Sequence, residues 1–198
     1  MKFIGITGGV GAGKSSVLSL LLEECNCKIV LADELAQELM TPGHGCNDKL
    51  RKLKELEGCF DESGFILREQ FANAMYGNDS LREKVNGIVH PAVKEEILHQ
   101  VDEARINNKI QLFFFEAALL IECGYGKLCD ELWYIYSSEE TRRIRLKNSR
   151  GYSDEKIDAI MAAQVSEEFY KLNCNRVIDN DGSIEATRTR IQTILKTI

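Results

Sequence analysis

Apolar residues enter this 198-residue chain in short runs that stop at a glycine or a carboxylate. Residues 2–7 (KFIGIT) form such a run and end against glycines, as a strand buried on both faces should. Residues 14–25 (KSSVLSLLLEEC) carry apolar positions on most sides, which predicts a deeply packed helix. A second strand is expected at 27–33 (CKIVLAD), then a helix at 34–40 (ELAQELM) stopped by Thr41, Pro42 and Gly43. From about 47 to 107 no strand pattern is visible. Within it Val85, Ile88, Val89, Val93, Ile97 and Val101 recur at helical steps, and Pro91, with no N–H to donate, is expected to kink or restart that helix. Residues 109–121 (KIQLFFFEAALLI) and 131–137 (ELWYIYS) predict the third and fourth strands, with Ser137 and Glu140 spaced as a capping box for the helix that follows. A fifth strand at 176–180 (RVIDN), a glycine turn and a last helix from about 183 complete the chain. Strand, turn and helix in repetition predict an α/β fold: a parallel sheet of about five strands with helices on both faces, and the helical stretch 47–107 inserted between strands two and three.

The turn after the first strand carries the chemistry. Gly8, Gly13, Lys14 and Ser15 fit G-x-x-x-x-G-K-[ST], and they lie where that pattern has a mechanism, between a strand and a helix. Ordering four glycines within residues 6–17 (ITGGVGAGKSSV) costs backbone entropy. The expected return is a cradle of N–H groups for nucleotide phosphates at a helix N-terminus. Lys14 is expected at the β and γ phosphates and the Ser15 hydroxyl on Mg²⁺.

Two further features bear on what is done with the nucleotide. Asp33 ends the second strand, where it could take a proton from an attacking hydroxyl or simply cap the next helix; position alone does not choose. Residues 137–152 set five cations against two carboxylates. Arg142 and Arg145, three apart, share a helix face and could stabilise a moving phosphoryl group; a solvated basic face is the alternative.

Composition narrows the partners. Hydrophobic residues at 44% and charged residues at 28% are those of a soluble globular protein, and the net charge of -6 offers nucleic acid no general attraction. Seven cysteines without CxxC or Cys/His zinc spacing read as free thiols of a reducing compartment. No run is long enough for a signal or a membrane span, so a cytoplasmic protein that binds neither membrane nor nucleic acid is expected.

Nearly end to end, the chain resembles the dephospho-CoA kinase family. The resemblance is carried in order by IGITGGVGAGKSSV (4–17), LADELAQELMTPG (31–43), FDESGFILREQFANAMYGND (60–79) with VNGIVHPAV (85–93), EAALLIECGY (116–125), RLKNSRGYSDEKIDAIMAAQ (145–164) and VIDNDGS (177–183). It implies transfer of phosphate from ATP, with Mg²⁺, to the 3′-hydroxyl of the ribose of dephospho-CoA, by a monomer or small homo-oligomer. It implies a nucleotide-binding core at 1–46 and 108–198, a helical substrate domain at 47–107 and a lid at about 138–165. Carried over by position, Asp33, Lys14, Arg145 and Arg150 would be catalytic. Gly9, Gly11, Ala12, Gly13, Lys14, Ser15, Ser16, Arg142, Asn180 and Gly182 would bind ATP, the last two near the adenine. Asp33, Arg68 and His90 would face the acceptor. The chain departs from the family pattern at Leu31, where an acid is common, at Ala118 in place of proline, and at Arg150, one residue later than the usual second lid arginine.

Overall fold

A computed structural model describes residues 1–198. Along the chain it runs β1 (Lys2–Thr7), α1 (Lys14–Glu24), β2 (Cys27–Leu31), α2 (Ala32–Leu39), α3 (Gly45–Leu50), α4 (Arg68–Met75), α5 (Asp79–Asn107), β3 (Leu112–Glu116), β4 (Glu131–Tyr136), α6 (Glu139–Arg150), α7 (Asp154–Ala162), α8 (Glu167–Asn173), β5 (Arg176–Asp179) and α9 (Ile184–Leu195). The strands form one sheet in the order β2-β3-β1-β4-β5, with β1 parallel to both neighbours and β4 parallel to β5. Phe113, Phe114, Phe115, Ile4, Ile6 and Trp133 are all fully buried, because strands covered on both faces read as continuous apolar runs rather than alternating ones. From β1 the chain goes to the edge strand β2, returns inward to β3, and then crosses to β4 on the other side of β1. This puts the C-terminal end of β1 at the switch point where open α/β sheets bind ligands.

The chain divides into two compact units, residues 1–30 with 103–198, and residues 31–102. The boundaries expected from the sequence lie later, at 46/47 and 107/108; by contacts, α2 and α3 go with the second unit, and the last residues of α5 with the first. In the second unit α5 buries Leu81, Val85, Val89, Val93 and Ile97 in steps of four, so its apolar stripe winds slowly around the helix. Pro91 does not restart it: α5 is a single helix of 29 residues. The proline ring presses on the carbonyl four residues back, and that residue is Gly87, whose unbranched backbone can tilt away and whose surroundings are open. Strand β3 is also shorter than its apolar run, since residues beyond Glu116 turn away from the sheet.

Strands β1, β4 and β5 of the first unit are tied at one end by Glu131, which accepts from Lys2 Nζ at 2.9 Å, Trp133 Nε1 at 3.2 Å and Arg176 Nε at 2.8 Å. The Arg176 hydrogen bond, helped by Lys2 and Trp133 against the opposing effect of burial, holds this carboxyl down at about 2. A depressed carboxylate stabilises the fold fully above its unfolded value and loses that contribution as pH falls through its folded one. Melting curves should therefore show a drop in Tm between about pH 5 and pH 2 that Glu131→Gln flattens, with the variant roughly 3–6 °C less stable at pH 7. Equal pH slopes for the two proteins would dissociate Glu131 from acid sensitivity. No helix of the chain is long and apolar enough to cross a membrane.

Candidate active site

The turn between β1 and α1 is built from glycines for reasons visible in its surroundings. Gly13 caps α1 with φ 82° and ψ 32°, in the left-handed region, and offers no side-chain cap. The first-turn N–H groups of α1 thus receive no side-chain acceptor at the cap, the arrangement that suits an anion. A Cβ on Gly13 would lie 2.3 Å from Asn180 Nδ2, and one on Gly9 would lie 2.5 Å from the Arg142 guanidinium. The glycines therefore admit protein side chains against the back of the loop as well as leaving its front open.

Lys14, with only 16% of its side chain exposed, donates from Nζ to Gly8 O at 2.9 Å and lies 3.6 Å from Glu116 Oε1. Its ammonium is held over the loop rather than swinging in solvent. Glu116 ends β3 and pairs in register with Ile6 of β1; sequence reasoning does not single it out. Its only signal there is a lone acid closing a run of three phenylalanines at a strand end. Ser15 and Ser16 open α1. Both serines are exposed.

A second layer grips the loop from behind. Arg142 Nε donates to Val10 O at 2.9 Å, and its Nη2 reaches Gln164 Oε1. Arg145 Nη1 donates to Ala12 O at 3.2 Å and to Ser137 Oγ at 2.9 Å, and its Nη2 to Asn180 O at 2.8 Å. The helix face shared by Arg142 and Arg145 is thus turned onto the phosphate-binding loop, not onto solvent. Ser137, only 3% exposed, donates to Ala12 O or Asn180 O and so cannot be the helix cap that its spacing from Glu140 suggests. Ser138 is the cap of α6, accepting from Thr141 N at 3.3 Å. Asn180 is also 3% exposed, and its amide donates to Ala12 O at 2.8 Å and Gly13 O at 3.3 Å. Its side chain is spent on the loop, so the expected contact with adenine would have to come from elsewhere in the turn, where Gly182 is exposed.

Arg150 lies outside this network. It ends α6, exposed, with its guanidinium 5.9 Å above the Tyr152 ring. Helices α6 and α7 are joined by Arg143–Asp158 at 2.6 Å and Lys147–Asp154 at 2.7 Å. In the second unit, Asp33 sits in the first turn of α2, exposed, and Leu31 rather than Asp33 is the N-cap, with no side-chain cap bond. The capping role weighed for Asp33 therefore falls away. Arg68 is exposed at the first position of α4, and His90 is half-buried within α5. A cavity of about 520 Å³ in this unit is lined by His44, Lys49, Pro91, Glu95 and His99 among others, but not by Asp33, Arg68 or His90. A cavity of about 980 Å³ in the first unit is lined by Lys2, Leu112 and Gln192. It lies at the start of β1 and β3, the end of the sheet away from the loop, and is not the nucleotide site.

Residues 2–186 match the family model described as dephospho-CoA kinase. A curated dephospho-CoA kinase of Carboxydothermus hydrogenoformans is 36% identical over 99% of this chain and 94% of its own length. One from Oceanobacillus iheyensis is 33% identical over 98% of this chain and 96% of its own length. Among solved structures, TT1252 from Thermus thermophilus superposes with a TM-score of 0.79 at 25% identity, covering 100% of this chain and 97% of that one.

Proposed function

Since this chain belongs to the dephospho-CoA kinase family, we propose how its residues divide the transfer of phosphate from ATP to dephospho-CoA. The observation that carries the proposal is the start of α1: a glycine cap that leaves the helix amides open, beneath a lysine held in place and backed by two arginines. Residues 11–16 hold the ATP phosphates. Lys14 follows the γ-phosphoryl group and offsets the charge that spreads over its oxygens in the transition state.

Asp33 orients the ribose 3′-hydroxyl and accepts its proton as the oxygen bonds to the γ-phosphorus. The bond from that phosphorus to the bridging β-γ oxygen breaks, and ADP leaves. Arg68 and His90 hold the acceptor. Arg142 and Arg145 steady the loop and lend positive charge, and Arg150 joins them when the lid, residues 138–165, closes. The α6–α7 ion pairs support movement of that lid as one piece. The donors suit Mg²⁺: the exposed Ser15 hydroxyl, in the first turn of α1, would ligate it. When bound it would neutralise charge on the phosphate oxygens.

The test is ADP release from MgATP with dephospho-CoA, AMP, CMP or no acceptor. Turnover with dephospho-CoA should exceed each of the others by about a hundredfold or more, because a misplaced acceptor forfeits the positioning on which phosphoryl transfer depends. Comparable turnover with a nucleoside monophosphate would keep the loop's role and overturn the acceptor.

A further inference from the structure

Three buried polar side chains, Ser137, Asn180 and Thr187, lie in one hydrogen-bond network behind the phosphate-binding loop. Two of them touch the loop directly. Thr187, on α9 and fully buried, does not; its hydroxyl donates to Asn180 Oδ1 at 2.9 Å. We propose that Thr187 is a positioning residue for the phosphate-binding loop, acting through the Asn180 amide. The proposal rests on the reading of this loop as the ATP site.

The argument turns on which way that amide points. An asparagine amide has one accepting end and one donating end. The Ala12 and Gly13 carbonyls, 2.8 and 3.3 Å away, can only accept, so the NH₂ end must face them and Oδ1 must face α9. Oδ1 is then buried and needs a donor. The Thr187 hydroxyl has one proton and two candidate acceptors, Asn180 Oδ1 at 2.9 Å and Ser183 O at 3.3 Å. The shorter bond keeps the amide in its working orientation. Giving the proton to Ser183 would favour the flipped amide, with Oδ1 set against two carbonyl oxygens.

Loop carbonyls fixed on this side hold the loop N–H groups on the other, since each peptide unit is planar and carries its C=O and N–H in opposite directions. Ser137 and Arg145 also donate to Ala12 O, at 3.1 and 3.2 Å, but the Asn180 bond is the shortest of the three and alone extends to Gly13, the cap of α1. The contribution is to phosphate binding in ground and transition states alike. Its loss should therefore appear in the affinity for ATP rather than in kcat.

Thr187→Val keeps the shape and removes the donor. Expected is a rise of about tenfold in KM and in the directly measured Kd for MgATP, with kcat within about threefold of the parent and KM for dephospho-CoA unchanged. Thr187→Ser, which keeps the hydroxyl, should restore ATP affinity to within about twofold. A merely structural role would lower the folded fraction, and with it apparent kcat, while leaving Kd for ATP in the folded molecules alone. Parental ATP affinity in Thr187→Val, or failure of Thr187→Ser to restore it, overturns the proposal. Should Thr187→Val not fold, Thr187→Ala paired with Thr187→Ser decides the same question. The unaltered chain runs in parallel: no dephospho-CoA-dependent turnover there would count against the proposed function, whereas unchanged ATP binding in an otherwise normal Thr187→Val counts only against Thr187.

Discussion

Lys14→Met should lower kcat for dephospho-CoA phosphorylation by about three orders of magnitude and leave the chain folded. The side chain is mostly enclosed, and its ammonium is fixed by Gly8 O and faced by Glu116, so in the proposed role it would meet the phosphates already held in place. Charge placed in advance where it develops in the transition state is the main source of acceleration in phosphoryl transfer. Methionine fills nearly the same volume and removes the charge together with the hydrogen bond to Gly8 O. The structural cost falls on the partly enclosed Glu116 carboxylate, which loses a cation at 3.6 Å; Tm should fall by a few degrees at most. Steady-state kinetics beside a melting curve checks both halves. A variant within tenfold of the parental kcat would remove Lys14 from the transition state, and a collapse in Tm would make its role structural.

The loop, the central strands and the shared face of Arg142 and Arg145 are legible because each depends on spacing, and spacing is written in the chain. What is not legible depends on partners distant in sequence. Ser137 and Ser138 are adjacent serines at a helix start, and local pattern favours the first; the choice is made by Ala12 and Asn180, whose carbonyls draw the Ser137 hydroxyl inward. Asn180 in a turn after a strand invites a contact with the base, yet its amide is consumed by the loop from 168 positions away. Pro91 promises a break, and the compensating residue, Gly87, counts for little until the two fall on successive turns of one helix. Thr187 gives no signal at all: a threonine among other polar residues on a surface helix becomes noticeable only when α9 is seen to bury it against Asn180.

Asp33→Asn separates chemistry from scaffold more sharply than any other change in the chain. Asp33 is exposed in the first turn of α2, is not the cap, and accepts no capping bond, so its structural contribution reduces to a carboxylate near a helix N-terminus. That is worth about 0.3–1 kcal/mol at an exposed position, and Tm should move by no more than a few degrees. Asparagine keeps the size and the hydrogen-bonding oxygen but has no useful basicity, so it can still orient a hydroxyl while being unable to take its proton. If proton acceptance is the role, kcat should fall by about 10²–10⁴ with the KM values for ATP and dephospho-CoA little changed. If orientation alone is the role, Asp33→Asn should retain a large part of kcat while Asp33→Ala loses it. Retention by both variants would take Asp33 out of the reaction altogether, leaving the proton of the 3′-hydroxyl to pass to the phosphoryl oxygens themselves, a route for which Lys14 and the arginines behind the loop already provide the charge.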